Sequence, residues 1–384
     1  MKPFQAHPFR LLAAVMLFAI VQGGMVTAQE ISDSTIEIIR SKIMGKQNKF
    51  SYHAYVDTYY IGTINSGSDT SDIIPFSANS PVRDQIRLNL AALEFVYNTD
   101  NIRGKVAIQY GDAPNLLASP SSQWVNNIRQ ANFGVRIVKN LWLDVGYMIT
   151  VVGYESAWAV LNQISYLTVG GYFEPGNVLG AKLSYQFSDK FSGGFMVGNP
   201  YSLAYSHDSH LAGFIFFTYQ PTRSLSVNYN NFFGNQAPEG LGMSQNVLYN
   251  NLYVTWNPGN HFAFVGELDF AGRTNSGKPP DSTKTATMLS GFLQAGYSFN
   301  DHFSITTRYE YFNDPEGFLS GVNSLTNRGL GTNGFSFSAE YKPVNICYFR
   351  LSYRYLGADP GSKAFYSNTS DRMQAIYVSA GIGF

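Results

Sequence analysis

From about residue 50 to its end, this chain repeats one unit. A stretch near ten residues long with alternating apolar and polar positions is followed by a very short turn, a second such stretch and a longer polar segment. "IRGKVAIQY" (102–110) shows the alternation, with Ile102, Val106, Ile108 and Tyr110 on one face and Arg103, Lys105 and Gln109 on the other. A side-chain period of two is the mark of a strand. Similar stretches lie near 50–61, 85–97, 102–110, 128–138, 141–152, 178–187, 191–199, 210–219, 224–233, 247–257, 261–271, 287–299, 303–313, 333–342, 347–356 and 373–384, about sixteen in all.

The connections sort into two kinds. "NTDN" (98–101), "SDK" (188–190), "QPTR" (220–223), "NPGN" (257–260) and "NDH" (300–302) are short and rich in turn formers. Those between them are longer and polar, as in "GRTNSGKPPDSTKTA" (272–286). Aromatics bracket the short turns, as in "YQFSDKF", "TWNPGNHFAF" and "YSFNDHF". Tyr and Trp suit a headgroup-level girdle because the ring body is apolar and its tip is wet. The pattern predicts an all-β fold over 50–384: a transmembrane antiparallel up-and-down β-barrel of about 16 strands, with short periplasmic turns and long extracellular loops.

The last stretch tests this reading. Ile376, Val378, Ala380, Ile382 and Phe384 share one face right up to the final residue. A terminus tied down so completely is expected to close the sheet against the first strand. Phe384 resembles the terminal aromatic that the outer-membrane barrel assembly machinery recognises, and it is the expected assembly signal.

The N-terminus fits export. Lys2 and Arg10 precede an unbroken apolar run from Leu11 to Val21, and Val26-Thr27-Ala28 is a small-residue cleavage site, so residues 1–28 read as a signal peptide. The apolar run is too short to span about 30 Å of hydrocarbon. Residues 29–49 do not alternate; Ser34 and Glu37 form a capping box, and a short periplasmic helical segment is expected there. Cys347 is the single cysteine, which excludes an internal disulfide or a zinc knuckle. Without the leader the chain carries 24 bases and 26 acids, so nucleic acid is not an expected partner.

Three stretches, "IRLNLAALEFVYNTDNIRGKVAIQYGD" (86–112), "KNLWLDVGYMITVVGYESAW" (139–158) and "GAKLSYQFSDKFSGGFMVGNPYS" (180–202), resemble the OmpL-like family of putative β-barrel porins. The chain departs from the family pattern where Asn199 precedes Pro200 instead of Gly. The resemblance implies an outer-membrane location in a Gram-negative bacterium, contact with lipid and lipopolysaccharide, and a porin function. Porins of this size are often trimers, so a homotrimer is an open expectation.

Reading the inward faces places nine bases in the lumen, Arg87, Arg103, Lys105, Arg136, Lys182, Arg308, Lys342, Arg350 and Arg354, and seven acids, Asp57, Glu94, Asp144, Glu267, Asp269, Glu310 and Glu340. Glu94 requires a bulge near Ala91-Ala92. Interior salt bridges are the alternative use of these charges, for instance Arg103 with Glu94 or Arg136 with Asp144. The long loops carry thirteen acids against seven bases. Opposing wall and mouth charges predict weak ion selectivity, with cation preference growing at low salt.

The connection 153–177 is the longest and the least polar, with Trp158, Val160, Leu161, Ile164 and Leu167. A loop folded into the barrel would bury them. In general porins the loop in this position narrows the pore, so Glu155, Trp158 and Asn162 are the expected constriction residues, with Glu155 and Asn162 facing the solute. His207, Asp208 and His210 at the loop rim fix no catalytic partner by spacing, and "GLGTNG" (329–334) precedes a strand instead of linking a strand to a helix. No catalytic residue, metal or cofactor is expected. Two functions stand: passive diffusion of small hydrophilic solutes and ions, or a non-conducting barrel whose loops bind a ligand or partner.

Overall fold

The computed structural model describes residues 49–384 apart from 65–70, 78, 117–125, 200–210, 238–241, 278–282 and 325. The expected signal peptide, nearly all of the 29–49 segment and the His207, Asp208 and His210 cluster lie outside the described residues. The strands are β1 (Phe50–Thr63), β2 (Arg87–Asn98), β3 (Ile102–Tyr110), β4 (Ile128–Val138), β5 (Leu141–Ile149), β6 (Asn177–Ser188), β7 (Phe191–Gly198) and β8 (Ala212–Thr222). They continue as β9 (Leu225–Asn235), β10 (Asn246–Trp256), β11 (Phe262–Arg273), β12 (Ala286–Ser298), β13 (Phe303–Asn313), β14 (Gly331–Val344), β15 (Cys347–Ala358) and β16 (Arg372–Gly383). Helices with described bounds are α1 (Asp112–Leu116), α2 (Val169–Phe173) and a 3-10 turn at Ala159–Leu161.

Each strand pairs antiparallel with its sequence neighbour, and β1 pairs with β16 to close the barrel. The closing register runs from Tyr55 opposite Gly383 to Thr63 opposite Ala375. Beyond it Ala54 and Phe384 exchange two backbone hydrogen bonds, of 2.7 and 2.9 Å, so pairing reaches the last residue. No described helix is long and apolar enough to cross a membrane; the closed sheet crosses with strands, the other arrangement that pairs its own backbone in hydrocarbon.

Alternation sorts the side chains as the sequence indicates. Ile102, Val106, Ile108 and Tyr110 on β3, and Ile376, Val378, Ile382 and Phe384 at the chain end, are exposed on the outer face. Tyr377 and Ser379 between them are buried inside. Near the short turns, outer-face aromatics pair across strands, as in Phe303 with Tyr341 at 4.7 Å and Trp256 with Phe264 at 5.4 Å.

One boundary differs from expectation. The bulge that turns Glu94 inward lies at Asn89, not Ala91-Ala92, because Asp57 pairs with Leu90 and Thr58 with Leu88. The extra residue is an amide drawn to the polar side. Asn89 Nδ2 donates to Asp57 Oδ2 at 2.8 Å, and Asn89 Oδ1 accepts from the Ser80 N–H at 2.9 Å.

A sheet without edges gives unfolding no place to start, so unheated protein in SDS should migrate apart from a boiled sample. Equal mobility would contradict the closed barrel. Deleting Phe384 removes both terminal hydrogen bonds and an outer-face ring; the yield of heat-modifiable protein in the outer membrane should fall several-fold, read on the same gel.

Candidate functional site

Strand β5 ends at Ile149, and the chain crosses the lumen before entering β6 at Asn177. The two ends of this loop are clasped, since the Thr150 N–H donates to Gly176 O at 2.9 Å and the Thr150 hydroxyl donates to Pro175 O. Gly153 permits the first bend with a φ of +88°, a value that favours glycine.

From there the loop reads out the far wall. The Gly153 N–H donates to Asn251 Oδ1 on β10 at 3.2 Å and the Tyr154 N–H to Glu267 Oε2 on β11 at 2.7 Å. Gln294 on β12 donates to Gln163 Oε1 at 3.0 Å, and the Val169 N–H donates to Glu310 Oε2 on β13 at 2.8 Å. On β15, Arg350 donates to Ala159 O at 2.6 Å, to Ser165 Oγ at 3.2 Å and to Asn162 O, while the Tyr166 hydroxyl donates to Tyr353 O at 3.1 Å. Ser165 meets Ser379 on β16 at 2.7 Å, and the Val160 N–H donates to Tyr55 on β1 at 3.2 Å. A non-repetitive backbone inside a barrel must find partners for its polar groups, and here the inward side chains of the strands supply them.

Three buried arginines organise this contact. Arg308 Nη1 donates to Glu155 Oε1 at 2.6 Å, and Arg308 Nη2 donates to Tyr166 O at 3.3 Å. Arg354 forks onto Glu310 at 2.8 and 3.1 Å, and Arg350 Nε donates to Glu340 at 2.6 Å. The first long loop descends onto the same layer: Asn79 donates to Ser165 O at 3.4 Å and Arg354 to Phe76 O at 3.4 Å.

Glu155 and Asn162 are therefore not turned toward a solute, as the sequence reading expected. Glu155 Oε2 accepts from the Thr168 N–H at 2.7 Å and the Thr168 hydroxyl at 2.6 Å, besides the Arg308 bond. Asn162 bridges back to Ser156, accepting from its N–H at 2.9 Å and donating to its carbonyl at 2.6 Å. Both hold the shape of the loop. Trp158 stacks on Tyr55 at 5.3 Å, with the Arg129 guanidinium 5.2 Å from its ring. Ile164 and Leu167 are buried, as an inward loop requires.

On the side away from these anchors, the expected pairings are exchanged. Arg103 bonds Asp144 at 2.6 Å and not Glu94; Glu94 lies 3.7 Å from Lys105; and the exposed Arg136 lies 5.1 Å from the Trp142 ring and not on Asp144. Gly134 is the reason Arg103 on β3 reaches Asp144 on β5. A Cβ there would sit 2.2 Å from Asp144 Oδ1. Lys182 stands directly across from Asp144 in the β5–β6 register. Arg87, at the loop end of β2, pairs with Asp112 at 2.6 Å.

Glu174, Glu267 and Asp269 bring carboxylate oxygens within 4.8 Å of one another, an arrangement the sequence did not suggest. An all-carboxylate donor set is one that a hard divalent cation or a shared proton neutralises. Asp269 also accepts from Asn251 at 2.7 Å and Ser290 at 2.9 Å. Burial, and then Glu267 and Asp269, hold the loop residue Glu174 well above the usual carboxylate range. Glu174, Thr168 and Arg129 were missed by sequence reasoning. For Arg129 the signal is a parity break, since Ala107 pairs with Gln130 but Ile108 with Ile128.

A carboxyl raised on docking favours the docked loop fully below its ordinary value of 4.5 and progressively less as pH rises toward its raised one. Trp158 emission should therefore shift to the red as pH rises, and Glu174→Gln should remove that shift; an unchanged shift would exclude Glu174 as the titrating group. Arg350→Ala leaves Glu340 with Lys342, 3.0 Å away, as its remaining cation and frees three loop acceptors. Thermal unfolding should register a loss of about 3 kcal/mol, the low end of the cost of breaking a buried pair, because Lys342 still faces Glu340.

Sixteen strands, a lumen with paired charges on its wall and an inward fifth-to-sixth-strand loop can be set beside known proteins. No curated protein matches the chain in sequence. Among solved structures it is similar to Salmonella typhi OmpF, solved in complex with daunomycin (TM-score 0.60, 13% identity, covering 88% of this chain and 98% of that one). It is also similar to the outer-membrane channel DcaP of Acinetobacter baumannii (0.57, 12%, 88% and 99%) and to an anion-selective porin from Comamonas acidovorans (0.55, 10%, 87% and 99%). At such identities the likeness establishes an outer-membrane porin-like barrel fold. The model of the putative beta-barrel porin-2, OmpL-like family matches residues 49–384, and the chain belongs to that family.

Proposed function

We propose that this protein is an exported outer-membrane porin through which small hydrophilic solutes and ions diffuse passively and with weak selectivity, the loop between β5 and β6 setting the narrowest cross-section. The observation that carries the reading is the anchoring of that loop. Its backbone is held by side chains of β1, β10, β11, β13 and β15. A surface lid or a partner-binding loop has no need of a built seat inside the lumen, whereas a constriction needs one to keep a fixed aperture.

The lining supports the same reading. Arg103, Lys105, Lys182 and Arg136 line the wall of β3–β6, while Arg308, Arg350, Glu267 and Glu310 hold the loop to the opposite side, Arg354 bracing Glu310 and Asp269 bracing Asn251 behind them. Hydrated solutes require such a polar wall. Residues 1–28 act as the export signal, Phe384 as the mark read by the assembly machinery, and the outer face meets lipid and lipopolysaccharide.

The test is one variant in a planar bilayer. Replacing Ala159 to Gly171 by a short Gly-Ser linker removes the Arg350, Tyr166 and Val169 anchors and leaves the strand ladder intact. Single-channel conductance and the sugar size cutoff should both rise. Wild-type conductance with altered capture of a surface ligand would favour the non-conducting, binding barrel.

A further inference from the structure

The ion pairs outside the loop's seat are not symmetric toward water. In Arg103–Asp144 the base keeps 35% of its side chain exposed and the acid 6%, and in Lys105–Glu94 the values are 15% and 3%. Arg87–Asp112 gives 38% and 11%, and Lys342–Glu340, whose acid also bonds Arg350 on its inner side, gives 33% and 9%. In all four the cation is turned to the water and the carboxylate lies behind it. The cause is reach. An inward Asp or Glu stays close to the sheet, while a Lys or Arg stem extends past it and carries its charge outward.

The described pairs that break the rule lie elsewhere. Arg308–Glu155, Arg308–Glu310, Arg350–Glu340 and Arg354–Glu310 are sealed between loop and wall with neither partner above 9% exposed. Arg83–Asp84, with the acid exposed, sits in the first long loop, at the mouth. The acids Glu267 and Asp269 are likewise buried at the loop's seat, each on hydrogen bonds of its own. A solute passing the inward loop thus meets the wall of β3–β6, where Lys182 adds a further cation.

We propose that the passage prefers small anions, such as halides and short carboxylates, over cations, and that Arg103, Lys105 and Lys182 set this preference. The inference rests on the channel reading above. It reverses the sign given by counting charges along the sequence, which weights the acidic mouth. Mouth charges are screened beyond about 8 Å at physiological salt, whereas charges along a narrow wall stay within that range of every ion that passes. A unit charge about 8 Å from the path, in water-like dielectric, changes the local concentration of a monovalent ion about twofold.

Reversal potentials of the full protein in a planar bilayer under a KCl gradient test this. The wild type should show a chloride-to-potassium permeability ratio above about two. The decisive variant neutralises whole pairs, Arg103→Gln with Asp144→Asn and Lys105→Gln with Glu94→Gln, leaving net charge unchanged; its ratio should fall toward one. An unchanged ratio would overturn the orientation argument, and a cation-selective wild type would overturn the proposal outright. Lys182→Gln, which breaks no salt bridge among the described residues, should lower the ratio on its own and serves if the fourfold variant fails the SDS heat-shift test; a ratio it leaves untouched would count against the assignment. Absence of any conductance would instead sink the channel reading itself.

Discussion

Everything in this structure follows from the requirement that a backbone crossing hydrocarbon satisfy its polar groups within the protein. Sixteen strands meet it by pairing in chain order and then closing β1 on β16. Closure fixes the alternation of faces, because an outward residue must suit lipid and its neighbour must suit the interior. It also fixes the terminus: with Ala54 and Phe384 bonded to each other, the last residue belongs to the sheet.

The same requirement, applied to the loop between β5 and β6, explains the charges. Its apolar residues favour burial, but its backbone cannot form a ladder while crossing the lumen. Peptide N–H groups at Tyr154 and Val169 therefore take wall carboxylates, and carbonyls at Ala159, Asn162 and Tyr166 take wall guanidinium groups. Arginine suits this use because a planar fork can bond a carboxylate on one edge and a carbonyl on another. Arg350 does so between Glu340 and the loop.

The barrel was legible because lipid imposes a period of two on every strand, and sixteen repeats of a modest signal are hard to mistake. The inward loop was legible from Trp158, Ile164 and Leu167, which no watery loop would need. What could not be read was which residue meets which across several strands. Arg103 pairs with Asp144 across β4 because Gly134 leaves a gap, and nothing near residue 103 in the chain announces a glycine in that register. Glu155 looked free because its partners, Arg308 and Thr168, come from a distant strand and from the far arm of its own loop. The bulge was displaced to Asn89 for a like reason, as its amide answers Asp57 on another strand.

Charge counting along a sequence treats each ionised group as equal, and the folded lumen does not. A carboxylate behind a guanidinium, and one sealed under a loop by an arginine fork, both cancel in a net sum, yet an ion in the lumen would feel them differently. The first leaves a dipole whose positive end faces the water, while the second leaves almost no field outside its seat. Side-chain length decides the first case and the anchored loop decides the second. On the channel reading proposed above, the loop would shape the electrostatics of the passage as well as its width, by removing the acids of β11 and β13 from the water while leaving the bases of β3 and β6 in it.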